Sequence, residues 1–391
     1  MSSYDAIVVG GGVIGGAIAW RLAQGKLRVA LCDAQEPGRE ASWAAAGMLS
    51  PAPDSPDSIP LVPLGRASAA LYPHFIAELQ ETTGREVGWR REGAIKVLFS
   101  ASAERELSTL IALHHGLGLA AEPLSIEEAR KLEPALGREA RAAALLPDEA
   151  CLDNRALTSA VLAAAAKSGV ELLANAEVRQ LRSEGDRCTG VMAGGRAISS
   201  GQVIVAAGAF CGKIEGLDCT VKPVRGQMVA LRNGAARLRR VLRSDRGYIV
   251  PRDDGSPQLL VAGSTAEDAG FEKRVTPGGL ERIFSTVQEL APALAAAAVV
   301  ETWSGLRPDT PDHLPLLGPG GLEGLTIATG HYRNGILLAP ITAKLVSEWI
   351  LEQRVSFDWE RFSPLRFGKT PRQERQSTGG RVGKGSFSAK M

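Results

Sequence analysis

YDAIVVGGGVIGGAIAW, residues 4 to 20, decides how the rest of the chain is read. A short β-rich run, YDAIVV, meets a glycine cluster, and AIAWRLAQ after it carries apolar side chains on one helical face. Gly10, Gly12 and Gly15 supply G-x-G-x-x-G between that strand and that helix. The first glycine permits a tight turn, the second lets a pyrophosphate approach the backbone, and the third lets helix and strand pack closely. The helix N-terminus offers free N–H groups and a partial positive charge to the phosphates. A second apolar strand, RVALCDA, ends at Asp33, an acid placed to accept ribose hydroxyls. The pattern predicts an α/β dinucleotide-binding domain that begins within a few residues of Met1.

Composition bounds the rest. The chain has 391 residues, 45% of them hydrophobic, enough for a large core and two domains. A formal charge of +2 gives no electrostatic case for nucleic acid as a partner. The end is different: FGKTPRQERQSTGGRVGKGSFSAKM holds six Lys/Arg against Glu374, leaving the remainder near −3. With almost no apolar residues, this basic tail reads as disordered and solvated. Five scattered cysteines form no C-x-x-C pair, so neither zinc nor a disulfide framework is indicated, and a reduced, cytoplasmic compartment fits. No apolar run is long enough to span a bilayer and no secretory leader is legible, so a soluble protein without membrane insertion is expected.

From Val87 to Ser100 the text alternates like strands around Gly93, and a helix is expected from Ala103 to His114. Ser125 and Glu128 have capping-box spacing. VRGQMVAL, GYIVPR and QLLVAGST are further β-rich runs, and a helix is predicted between Gly278 and Leu290. SPAPDSPDSIPLVPLG, residues 50 to 65, reads as a kinked loop placed to cover a pocket. In VIVAAGAF a strand ends at Ala206, Ala207 and Gly208, small residues where a ligand or another backbone comes close. GHYRNGILLAP sets a glycine turn before another helix start, with Pro340 in or near its first turn, where a missing N–H matters least. Such a helix end would stabilise the anionic reduced ring of a flavin, which favours FAD over NAD.

WSGLRPDTPD, residues 303 to 312, carries Arg307 between an apolar lead-in and a proline turn. A guanidinium there needs an anion. The residues leave two candidates: Asp309 or Asp312 of the same stretch, or the carboxylate of a visiting molecule.

Taken together, GGGVIGG, GREASWAAAGML, VKPVRGQ, GYIVPR, WSGLRPDTPD and GHYRNGILLAP resemble, in this order, the D-amino acid oxidase family of FAD-dependent amine oxidases, and within it the bacterial glycine oxidases of thiamine biosynthesis. The resemblance covers Tyr4 to about Phe367. It implies an α/β fold, a Rossmann-like FAD-binding domain (GR2-type) with an inserted mixed antiparallel β-sheet substrate domain. Residues 1–86, 151–222 and 301–366 would form the first, 87–150 and 223–300 the second, and 367–391 the basic tail.

The resemblance also implies site residues. Val13 and Ile14 join the glycines at the pyrophosphate turn, and Asp33 and Ala34 hold the adenosine ribose. Ala41, Ser42, Ala46, Gly47 and Met48 line the pyrophosphate and flavin edge, and Val178 meets the adenine. His331, Tyr332, Arg333, Asn334, Gly335, Ile336 and Leu337 wrap the pyrimidine side of the flavin. Arg307 and Arg333 hold a substrate carboxylate, with the Tyr248 hydroxyl as a further donor. FAD is expected to be noncovalent, because GLRPDTPDHLPLLG lacks the cysteine through which the sarcosine-oxidase relatives attach it. The implied reaction oxidises glycine, sarcosine or small D-amino acids to the imine by hydride transfer to flavin N5, without a dedicated acid or base. Dioxygen then gives hydrogen peroxide; the alternative is a dehydrogenase that passes electrons to a membrane quinone. A homotetramer is implied. Arg246 departs from the family, which can carry histidine there; an extra cation either favours acidic substrates or pairs outward.

Overall fold

The protein is described by a computed structural model over residues 3–53, 55–234, 237–252 and 257–368. The basic tail lies, from residue 369 on, outside the described residues.

The strand Ser3–Val9 turns through Gly10–Gly12 into the helix Val13–Gln24 and returns as Val29–Cys32, parallel to the first. Across the sheet the order is Leu316–Pro319, Leu325–Thr329, Arg196–Val205, Ser3–Val9, Val29–Cys32, Glu171–Leu173. Neighbours are parallel except the first pair. An antiparallel hairpin, Val178–Glu184 with Arg187–Ala193, extends from the start of Arg196–Val205. Strand periodicity divides the first strand between two cores. Ala6 and Val8 face the helices Val13–Gln24, Asn154–Lys167 and Gly335–Glu352, whereas Ile7 and Val9 pack with the hairpin residues Leu181 and Val191. Such fully buried aliphatics contribute roughly 1.5–3 kcal/mol each.

The second sheet has the order Ala298–Asp309, Lys222–Asn233, Gln258–Gly263, Tyr248–Pro251, Val241–Arg243, Ala94–Leu98, Ala142–Leu146, Glu122–Leu124. It is antiparallel except where Val241–Arg243 runs parallel to Ala94–Leu98, so it is mixed, as expected. One face (Ile95, Leu231, Leu242, Leu260) is covered by the amphipathic helix Pro277–Leu290. The other (Met228, Ala230, Val250, Trp303) packs on Ala44 and Ala46 of the first domain. Ala298–Asp309 pairs with Lys222–Asn233 out to Asp309, through the boundary expected between residues 300 and 301. The ladder therefore makes Arg307 a residue of the second sheet.

The predicted helices form. Ala103–Gly116 is helical, and the Ser125–Glu128 capping box opens Ile126–Leu132: the Ser125 N–H donates to the Glu128 carboxylate (2.8 Å) and the Glu128 N–H to the Ser125 hydroxyl (3.2 Å). The expected loop over residues 50–65 is only half a loop. A 3₁₀ turn, Pro56–Leu61, runs straight into the helix Val62–Thr83, because Pro63 falls in the first turn, where no intrahelical N–H is required. Pro340 corrects the opposite way. The last helix begins at Gly335, so this proline sits beyond the first turn and leaves the Ile336 carbonyl without its usual donor. The Tyr72 hydroxyl, buried on Val62–Thr83, donates to that carbonyl instead. Ser68 donates to the next one, Leu337, at 2.6 Å.

Candidate active site

Between the two sheets lies a cavity of about 730 Å3. Every site residue expected from the sequence lines it except Gly15 and Leu337. Gly15 lies under the turn: a Cβ on it would stand 1.9 Å from the Gly10 carbonyl oxygen. Leu337 points into the helical core. Both support the wall without facing the space.

The dinucleotide end is made of main chain. Gly10 has φ +103°, and a Cβ there would meet the Ala206 carbonyl oxygen at 2.5 Å, so the glycine turn and the strand ending at Val205 approach as closely as backbones can. Gly12 caps the helix Val13–Gln24 with no side-chain cap bond and no acid in the first turn. The Val13 N–H donates to the Ser42 hydroxyl (3.0 Å), which brings the segment 41–47 across this helix end. A glycine cradle at a helix N-terminus with positive potential suits a pyrophosphate. Asp33 accepts from the N–H groups of Gly11 (2.7 Å) and Gln35 (3.0 Å). Burial holds its carboxyl above the ordinary aspartate range, against the lowering effect of those bonds. The Ala176 N–H donates to the Asp33 carbonyl (2.7 Å), which sets Val178 beside it. On the far side, Gly208 (φ +55°) opens a 3₁₀ turn and its carbonyl accepts from Thr329 (3.1 Å).

Three side chains not anticipated from the sequence hold the segment 41–47 in place. Asn154 donates to the carbonyls of Ser42 (2.8 Å) and Trp43 (3.0 Å), and the Trp303 indole donates to that of Ala44 (3.0 Å). Arg252, 5% exposed, donates to the carbonyls of Leu152 (2.5 Å) and Ala46 (2.8 Å) and to the Asn154 amide oxygen (2.7 Å). Burial pulls its pKa below the usual arginine value. The signal was present in GYIVPR, an arginine closing an apolar strand.

At the amine end, Arg307 lies flat over Gly226, where a Cβ would stand 2.3 Å from its Nη1. Nη1 donates to the Thr265 carbonyl (3.0 Å) and Nη2 to the Ser264 hydroxyl (2.7 Å). Both acceptors are neutral. Asp309 is engaged by His313 (2.6 Å) and approached by Lys222 (3.8 Å), and Asp312 by Arg366 (2.8 Å). Among the described residues Arg307 has no carboxylate partner, so neither nearby aspartate is its anion. Tyr248 stands in the same wall, with its hydroxyl 3.7 Å from the Met228 sulfur. Arg333 is exposed at the rim, its guanidinium 5.2 Å from the Tyr332 ring centroid.

The loop before the last helix closes the wall. Tyr332 has φ +48°, and its N–H donates to the Pro308 carbonyl (2.9 Å); Asn334 donates to the His331 carbonyl (2.8 Å). Gly335 and Ile336 then aim the helix N-terminus at the cavity. His331 is 3% exposed and shares a bond with the Thr342 hydroxyl (3.1 Å). Burial drops its pKa to about 3, so it stays neutral across the physiological range.

A long cavity with a glycine cradle at one end and an arginine lacking an acid at the other matches the family found by comparison. The family described as FAD dependent oxidoreductase (DAO) covers residues 5–349. This chain belongs to that FAD-dependent oxidoreductase family. The glycine oxidase of Geobacillus kaustophilus is 36% identical over 369 residues, 93% of this oxidoreductase and 97% of that protein. A crystal structure of glycine oxidase from Geobacillus kaustophilus superposes with a TM-score of 0.88 over 94% of this chain and 99% of that one. The bifunctional protein ThiO/ThiG of Synechocystis is 35% identical over 94% of this chain, which spans 54% of that longer protein. FAD is thus the cofactor of this oxidoreductase, and the uncapped helix end, the Gly10 and Gly12 cradle and Asp33 fit its pyrophosphate and ribose.

Proposed function

We propose that this FAD-dependent amino acid oxidase oxidises glycine and other small amines such as sarcosine and small D-amino acids. The observation that carries the reading is Arg307, a half-buried cation with neutral acceptors on two nitrogens and donors to spare, in the wall of the FAD cavity. A bidentate arginine takes a carboxylate with roughly 1.5–3 kcal/mol per charge-assisted bond. It fixes the amino acid so that its α-carbon faces the cofactor, which is the proximity contribution to catalysis. Arg333 and the Tyr248 hydroxyl complete the grip. When bound, FAD accepts the two electrons of amine oxidation.

The cavity residues orient the amine without exchanging protons with it. His331 is neutral and engaged with Thr342, and Asp245 is paired with Lys96, so the amine enters as its free base. For glycine the overall change is glycine, dioxygen and water to glyoxylate, ammonia and hydrogen peroxide. Names of relatives such as ThiO/ThiG support a place in supplying the thiazole of thiamine. Among the described residues no helix is long and apolar enough to cross a membrane. Dioxygen as acceptor, a homotetramer and a cytoplasmic location complete the reading. Anaerobic glycine should bleach the bound flavin, and air should restore the colour with one peroxide per turnover. Bleaching without peroxide would transfer the protein to the quinone-reducing dehydrogenases, and no bleaching by any small amino acid would end the proposal. Light scattering tests the tetramer.

A further inference from the structure

The amine end carries more positive charge than one carboxylate requires. Lys96, Arg243, Arg246 and Arg307 all line it. Two of them are neutralised locally: Lys96 by Asp245, and Arg243 by buried Glu149 at 2.7 Å. Arg246 is different. It reaches Glu289 only at 3.4 Å and remains 73% exposed at the cavity mouth.

Behind Ser264, the residue that accepts from Arg307, lies a side recess of about 160 Å3. It shares Arg246 and Ser264 with the main cavity, and its other walls are Thr265, Ala266, Arg282 and Ile283. Arg282 is also largely in water, at 68% exposure, and its acid, Glu267, lies 3.4 Å away. Glu267 is already bonded through both oxygens, one to Arg225 and the other to Gln227 (2.8 Å). Two exposed cations, each 3.4 Å from its acid, thus flank a small recess that shares Ser264 with the carboxylate clamp.

We propose that this recess receives a second anionic group of the substrate, so that the enzyme favours small amino acids bearing two carboxylates over glycine itself. This rests on the assignment of Arg307 to the first carboxylate. Arg307 orients the reacting end in the dry wall, and Arg246 with Arg282 selects by charge at the wet mouth. Being exposed, that pair contributes modestly and is screened by salt.

The test measures kcat/KM for matched pairs, sarcosine against iminodiacetate and D-alanine against D-aspartate, in the FAD-loaded enzyme. At least one dicarboxylate should exceed its partner, the pair that does so showing whether the second anion branches from nitrogen or from the α-carbon. Arg246→Gln and Arg282→Gln should each cut that ratio by about fivefold, and added salt should erode it. Glu289→Gln, which releases Arg246, should raise it. A ratio at or below one for both pairs, or one that Arg246→Gln and Arg282→Gln leave unmoved, overturns the recess while leaving the oxidase reading intact. Bleaching by glycine but by none of the four overturns the recess alone, and bleaching by none of the five overturns both.

Discussion

Arg252 directly follows one strand of the second sheet and Arg307 lies in another, and neither has a carboxylate partner among the described residues, yet they serve opposite purposes. Arg252 is enclosed, and its donors close on the carbonyls of Leu152 and Ala46 and on Asn154. Arg307 meets two neutral acceptors, and with five N–H donors a guanidinium so placed keeps some for an incoming anion. The first shapes the cofactor wall and the second faces the cavity. The difference extends to the two ends of the cavity: main chain packed to contact around the dinucleotide, side chains with spare bonding capacity around the amine. An added methyl group at Gly10 or Gly15 meets backbone at the first end, whereas trimming Arg307 or Tyr248 at the second should alter affinity and leave the fold alone.

The largest effect expected is at Gly15. Its Cβ would fall on the Gly10 carbonyl, so Gly15→Ala must push the helix start away from the phosphate cradle. FAD affinity should drop by roughly a hundredfold, about 3 kcal/mol of strain, read by flavin fluorescence titration. Retained affinity would show that the cradle is softer than its geometry implies.

The two ends should separate cleanly in kinetics. Arg307→Ala should raise KM for glycine by about tenfold or more while the FAD dissociation constant stays within about twofold. Asp33→Asn should do the reverse at saturating FAD, weakening the cofactor by about tenfold and leaving KM for glycine unchanged. If either variant moves both constants, the ends are coupled and the comparison fails.

His331 sharpens the contrast through pH. Its folded pKa, about 3, is depressed below the ordinary histidine value by burial. The folded state therefore binds fewer protons than the unfolded one. This stability is present above about pH 6.5 and is lost as pH falls, by up to ~1.4 kcal/mol per unit. Urea titrations between pH 7 and 5 should show this slope, and His331→Asn should remove one proton's worth of it. kcat/KM in the same range should carry no inflection from this group.

Tyr72→Phe is expected to have the smallest effect, about 1 kcal/mol, because it leaves the Ile336 carbonyl without a donor. Pro340→Ala should rescue much of that loss by restoring the backbone N–H. The double-mutant cycle, followed by urea unfolding, checks the pairing.

Local pattern alone determined a good deal. Strand, glycine turn, helix and Asp33 are neighbours in the chain, and their geometry follows from backbone preferences that operate over a few residues. The ordered motifs carried the FAD domain and the inserted mixed sheet. They also marked Arg307, because an arginine beside a proline turn in an apolar strand demands an anion.

Only the tertiary structure decided which anion. Asp309 and Asp312 are two and five residues from Arg307 in sequence, but His313 and Arg366 take them, and the ladder with Val224 turns the guanidinium over Gly226 instead. Distance along the chain does not report side-chain direction, which strand pairing sets. The same limit hid Asn154, Trp303 and Arg252, whose partners lie about 100 or more residues away. It also hid Tyr72, which supplies the bond that Pro340 removes, 264 residues from the carbonyl it serves. Hydrogen bonds across such separations depend on how two domains dock, and no window of sequence contains both partners.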